Sequence, residues 1–156
     1  MTKFALTYEL HEHGWATATL SDNDVSIDMT ASYLHDSLRE LANAAYQVSR
    51  GTTERIVVFM DEPGEHQLTI ARLDDDNCTY AVDWYDDWHS WGIKTVGSGY
   101  PTRVAEGVVS ARRFVQQVHT VMWTLFHTHG TDGYKLRWGE RDFPVDEMWR
   151  LVDPSR

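Results

Sequence analysis

The sequence predicts an α+β fold: an antiparallel sheet of about six strands, with two main helices packed on one face and a short C-terminal helix. Three observations carry that expectation. KFALTYEL and WATATL alternate polar and apolar residues at a period of two, as half-buried strands do. The clusters SDND, DEPGEH and DDDN fall between such segments at short intervals, which favours hairpins between neighbours. Two longer stretches instead repeat apolar residues every three or four positions, the mark of helices with a buried stripe.

Taken in order, Lys3–Leu10 puts Phe4, Leu6, Tyr8 and Leu10 on one face of a strand. A His13-Gly14 turn leads to Trp15–Leu20, where Ala16, Ala18 and Leu20 oppose Thr17 and Thr19. The turn Ser21–Asp24 opens a short strand carrying Val25, Ile27 and Met29 on one face. Thr30 or Ser32 then caps a helix expected over Ser32–Ser49. Its stripe is Leu34, Leu38, Leu41, Ala45 and Val48, with Arg39 and Glu40 outside it and Gly51 just beyond its end. Arg55–Met60 reads as a central strand. Glu62-Pro63-Gly64-Glu65 predicts a type II turn, since proline presets the second position and glycine allows the third. Gln67–Leu73 and Cys78–Tyr85 follow as strands joined at Asp74–Asn77. In the second, Tyr80, Val82 and Trp84 share one face, and Ala81, Asp83 and Tyr85 the other.

GIKTVGSGYPT reads as a loop around a short strand at Ile93–Val96. A long helix is expected over Val104–His129. Ala111, Val115, Val118, Met122 and Leu125 form its stripe, and Phe114, Val121 and Phe126 widen it. Gly130 and Gly133 allow a break. The tail predicts a helical turn through Trp138, a loop, and a last helix from Pro144. There is no internal repeat, and the 156 residues read as a single α+β domain, 1–156.

The charge balance narrows the partners. Twenty-four acids against 14 bases give a net charge of −10, which disfavours nucleic acid and an anionic membrane surface. Clustered acids favour a basic protein partner, although acids also serve plain solubility. No apolar run approaches the roughly 20 residues of a bilayer span, and the N-terminal segment alternates like a strand, not like an export signal. Cys78 is the single cysteine, so no intramolecular disulfide or cysteine-based zinc site is expected. Asn77-Cys78-Thr79 matches a glycosylation pattern by chance, and the reading is a cytoplasmic protein.

The densest chemical feature is DWYDDWHSW, residues 83–91. Asp83, Tyr85, Asp86, Asp87, Trp88, His89 and Trp91 are the candidate binding residues, with aromatic anchors among acids that select a basic partner. Much of this aromatic content also suits a core. An alternative is a metal-dependent or acid–base enzyme using His11, His13, Asp86, Asp87 or His89. His11 and His13 share a face if they lie on a strand, whereas His127 and His129 stand about 200° apart on a helix. A third reading is a homodimer through the helix face carrying Arg112, Gln116, His119, Trp123 and His127, unless Phe143 and Trp149 cover Trp123. Cys78 has no cationic neighbour to activate it, and Gly97-Ser98-Gly99 lacks the lysine of a phosphate loop. No catalytic residue, metal or cofactor is assigned.

Three segments, TASYLHDSLRELANAAYQVSRG, FMDEPGEHQLTI and GYKLRWGERDFPVDEM, together resemble a group of small uncharacterised bacterial proteins. That group combines a SYLxDxLxxL helix, an EPGE turn and a GYxxRW…FP tail. The resemblance implies no catalytic residues. In size and acidity the chain is also similar to bacterial immunity proteins, which implies an inhibitor of a basic toxin.

Overall fold

The computed structural model describes residues 3–93, 99–139 and 141–154. The chain runs β1 (Ala5–Leu10), β2 (Trp15–Asp22), β3 (Val25–Ser32), α1 (Ser37–Ser49), β4 (Glu54–Met60), β5 (Glu65–Arg72), β6 (Asn77–Tyr85), β7 (Thr102–Ser110), α2 (Ala111–Arg137) and α3 (Val145–Arg150). The fold is α+β, but among the described residues seven strands form two antiparallel sheets, β1-β2-β3 and β4-β5-β6-β7, in place of one sheet of about six. Three α-helices accompany them among the described residues.

The sheet divides where α1 intervenes between β3 and β4. A single sheet would need a free outer edge on β4. At Val58 that edge is taken, because the Val58 amide donates to Glu40 Oε1 and Ser37 Oγ donates 2.6 Å to the Val58 carbonyl. Side chains of α1 thus satisfy backbone groups that a neighbouring strand would otherwise pair. The segment read as central, Arg55–Met60, is therefore the first strand of its sheet, buried at Val57–Met60 without a strand on both sides.

The seventh strand is the largest correction to the sequence reading. Val104–Ser110 extends along β6 and is not the start of the long helix. Tyr80 pairs with Gly107 and its ring lies on the glycine; a Cβ there would meet the phenol oxygen at 2.8 Å. The helix starts only at Ala111, where Ser110 Oγ accepts from the Arg113 amide at 2.9 Å. It is interrupted at Gly130 (φ 67°) and continues to Arg137, with Pro144 preceding α3.

Two smaller expectations also change. β3 stays paired with β2 as far as Ser32, so α1 begins at Ser37; Ser32 Oγ takes the Leu34 amide and caps no helix. Met60 pairs with Glu65, so Asp61–Gly64 bridge the strands, closed by an Asp61 amide to Gly64 carbonyl bond of 2.9 Å. The Glu62–Pro63 peptide is cis and the reversal is not a type II turn, although Gly64 does take positive φ (93°). The strand expected at Ile93–Val96 lies, beyond Ile93, outside the described residues.

Elsewhere the alternation reads directly into burial. Phe4, Leu6, Tyr8 and Leu10 face inward, as do Ala16, Ala18 and Leu20, and Leu68 and Ile70. The α1 positions Leu38, Leu41, Ala45 and Val48 are buried, and Leu34 is half-buried ahead of the helix. Both sheets and all three helices contribute to one apolar cluster. Phe4 links its parts, edge-on to Tyr80 at 5.1 Å and to Phe114 at 6.3 Å.

Candidate functional site

Residues 83–91 leave the end of β6 and fold into a short 3-10 turn over His89–Trp91. A register shift between Val82 and Asp83 sets Asp83 opposite Arg103, whose Nε donates to it at 2.5 Å. Arg103 also donates 2.7 Å to Glu106, so the Asp83 charge is met within the chain. Asp86 accepts from Trp84 Nε1 at 2.9 Å, and Asp87 is 4% exposed. Tyr85 stacks on His89 at 4.1 Å, and burial with the charge of Asp83 holds its phenol above the ordinary value. Trp88 donates its indole N–H to the Asp61 carbonyl and packs at 5.4 Å from Trp91. Trp91 itself is 47% exposed.

Of the seven candidates, Asp83 and Trp88 therefore tie the segment to neighbouring chain and Asp87 is buried, while Asp86, His89 and Trp91 reach solvent and Tyr85 is half-buried between them. The residue that organises the turn is Glu65, which the sequence reading passed over. Its side chain is fully buried. Oε1 accepts from the Ser90 amide and hydroxyl, each at 2.9 Å, and Oε2 from Gln67 Nε2 at 2.7 Å. Gly92 in the left-handed region (φ 73°) closes the turn through a 2.9 Å bond to the His89 carbonyl. Trp84 lies over Gly64, where a Cβ would meet its ring at 2.5 Å, and touches His66 at 4.7 Å.

The remaining candidates separate in space. His13 sits in the turn after β1 with φ 59°, so it does not share a strand face with His11, whose Nε2 pairs with Thr17 Oγ1 at 2.9 Å. Among the described residues no group of three or more His, Cys, Asp or Glu side chains comes together as a metal site would require. Trp123 does meet Trp149, edge-on at 5.0 Å, whereas Phe143 packs on Phe126 and Tyr134. Cys78 is buried, which pushes its thiol up.

A second polar cluster lies where the distant resembling segments meet. Arg39 on α1 donates to Asp36 Oδ2 at 3.0 Å and to Glu147 Oε1 at 2.6 Å, tying α1 to α3. Arg141 Nε donates 2.7 Å to the Tyr33 carbonyl. Around them Tyr8 Oη, Asp36 Oδ1, Tyr134 Oη, Trp138 Nε1 and Glu147 Oε2 are buried without a hydrogen-bond partner among the described residues. Burial first, and then Asp36, raises the Tyr8 phenol; burial, Tyr8 and Asp36 raise that of Tyr134. Both hydroxyls keep their protons. A groove of about 480 Å³ lined by Leu34, His35, Asp36, Arg39, Arg55 and Arg141 opens over the cluster. The one sequence signal for it was the SYLHDSL and GYKLRW…FP pair, which supplies Asp36, Tyr134 and Trp138.

No family model matches the chain, and no curated protein matches its sequence. Among solved structures, a chain of the CdiA-CT/CdiI toxin and immunity complex from Enterobacter cloacae is similar at a TM-score of 0.44 and 9% identity, over 78% of this chain and 98% of that one. Among the described residues no helix is long and apolar enough to cross a membrane.

Proposed function

We propose that the protein is a non-enzymatic binding domain that engages a basic protein through Asp86, His89 and Trp91, with Tyr85 at the rim; in its most specific form it is an immunity-type inhibitor. One observation carries the reading. Glu65, wholly buried, is committed to the backbone and hydroxyl of Ser90, and so holds rigid a turn whose neighbouring indole is half exposed. Large aromatic side chains fixed before contact lose little entropy on binding and are frequent hot spots. Asp86 beside the anchor and the net charge of −10 favour a cationic partner.

A photo-crosslinking residue placed at 91, with a control at exposed Leu136, tests this in the producing cell. The expected adduct is one basic protein, formed from position 91 and not from 136. Against that purified partner, Trp91→Ala should weaken binding by about 30-fold or more, and Asp86→Lys should slow association. An acidic adduct, or a partner bound equally well by both folded variants, sinks the reading.

A further inference from the structure

Arginines from four elements converge on a second groove. Arg50 follows the last residue of α1, Arg72 ends β5, Arg112 lies in the first turn of α2 and Arg150 ends α3. Together they line an open groove of about 1070 Å³ with Tyr46 and Val115. In a chain with 24 acids, none of these four has a carboxylate ion-pair partner among the described residues. Other arginines do: Arg39 and Arg103 each hold two carboxylates. Arg72 is fixed by donating to the Val48 and Asp75 carbonyls, while the side chains of Arg50, Arg112 and Arg150 have no hydrogen bond among the described residues.

The helix above adds to the positive field. The first turn of α2 contains Arg112 and Arg113 and no acid, although the amino end of a helix favours negative charge. Asp75 and Asp76 also line the groove, and their backbone carbonyls are engaged by Arg72 and by the Ala111 amide. Four guanidinium groups against the carboxylates of Asp75 and Asp76, and of Asp74 acting on Arg72 from beside the groove, leave a positive excess on an otherwise acidic molecule. Guanidinium forks suit the paired oxygens of phosphates and carboxylates, and Tyr46 and Val115 offer an apolar floor to an organic body.

We propose that this groove binds a small polyanion, a multiply charged phosphate or carboxylate compound, through Arg50, Arg72, Arg112 and Arg150. The site is separate in its residues from the surface around Trp91. Pyrophosphate, citrate and ATP serve as probes in calorimetric titrations of the intact chain at about 0.15 M NaCl, where loose ionic association is screened. At least one should bind saturably, the first two distinguishing phosphate from carboxylate recognition. Arg112→Glu/Arg150→Glu should weaken that binding by about tenfold or more, since each tenfold corresponds to 1.4 kcal/mol and two charge-assisted contacts are reversed. The neutral pair Arg112→Gln/Arg150→Gln should weaken it less while melting no lower than the parent without ligand, because like charges have been removed. No saturable binding by any probe, or binding that survives both double variants, overturns the proposal.

Discussion

Glu65 illustrates how a single buried side chain fixes an exposed surface. Its two oxygens are committed to Ser90 and Gln67, so removal strands a backbone amide, a hydroxyl and a side-chain amide at once. Glu65→Ala should cost about 2–4 kcal/mol of stability, whereas Glu65→Gln, which keeps one acceptor, should cost about half as much. Urea unfolding of the two variants checks this; equal losses would mean that neither the acceptor nor the space that glutamine retains contributes, and that the full carboxylate is required. His66 gives a pH dependence with a definite sign. Burial lowers its imidazole below the ordinary value of 6.5, with Asp61 opposing in part. The unfolded chain then binds this proton more readily than the folded one. Stability is full above about pH 6.5 and falls as the pH drops below it. His129 is lowered too, by burial and Arg137, so His66→Gln is needed to assign the slope. The variant should flatten the decline in the urea midpoint between about pH 7 and 5.5, and an unchanged decline would remove His66 as its source.

Elements show where local pattern and distant contact part company. Helix α1 follows its stripe closely, and β1, β2, β5 and β6 follow their alternation. β7 does not announce itself: RVAEGVVS reads as the front of a helix, and its pairing along β6, with the Tyr80 ring over Gly107, assigns it to the sheet. The same holds for the edge of β4, satisfied by Ser37 and Glu40 from a helix already complete before that strand begins. Glu40→Ala should bare the Val58 amide, lower stability by about 1–3 kcal/mol and speed hydrogen exchange at Val58 above that at Leu68 in β5. If exchange at Val58 keeps pace with Leu68, the cap does not protect this edge. Glu40→Gln should restore most of the protection.

At the scale of the molecule, the chain is closed by charge as well as by apolar contact. Tyr8 from the first strand, Asp36 and Arg39 around the start of α1, Tyr134 and Trp138 from the end of α2, and Glu147 on α3 form one buried polar knot. Arg39→Met would leave Asp36 and Glu147 without their shared cation. Because the Arg39 side chain is 37% exposed and Arg141 also faces Asp36, a loss of about 1–2 kcal/mol is expected, together with weaker attachment of α3, read as faster proteolysis near Arg150. A variant as stable as the parent with an unchanged cleavage pattern would make this bridge incidental.

The amino-acid sequence by itself determined the α+β class, the inward faces of β1, β2, β5 and β6, the α1 stripe and the position of an aromatic, acidic turn at 83–91. Each is a property of neighbours along the chain, where a period of two or about 3.6 decides which side chains share a face. Tertiary structure alone decided the division into two sheets, the strand at Thr102–Ser110, and the roles within the turn that tie Asp83 to Arg103 and leave Trp91 outside. It also gathered four arginines from four elements into one groove. Those outcomes depend on which backbone edges and charges meet across tens of residues, and periodicity along a chain carries no record of such meetings.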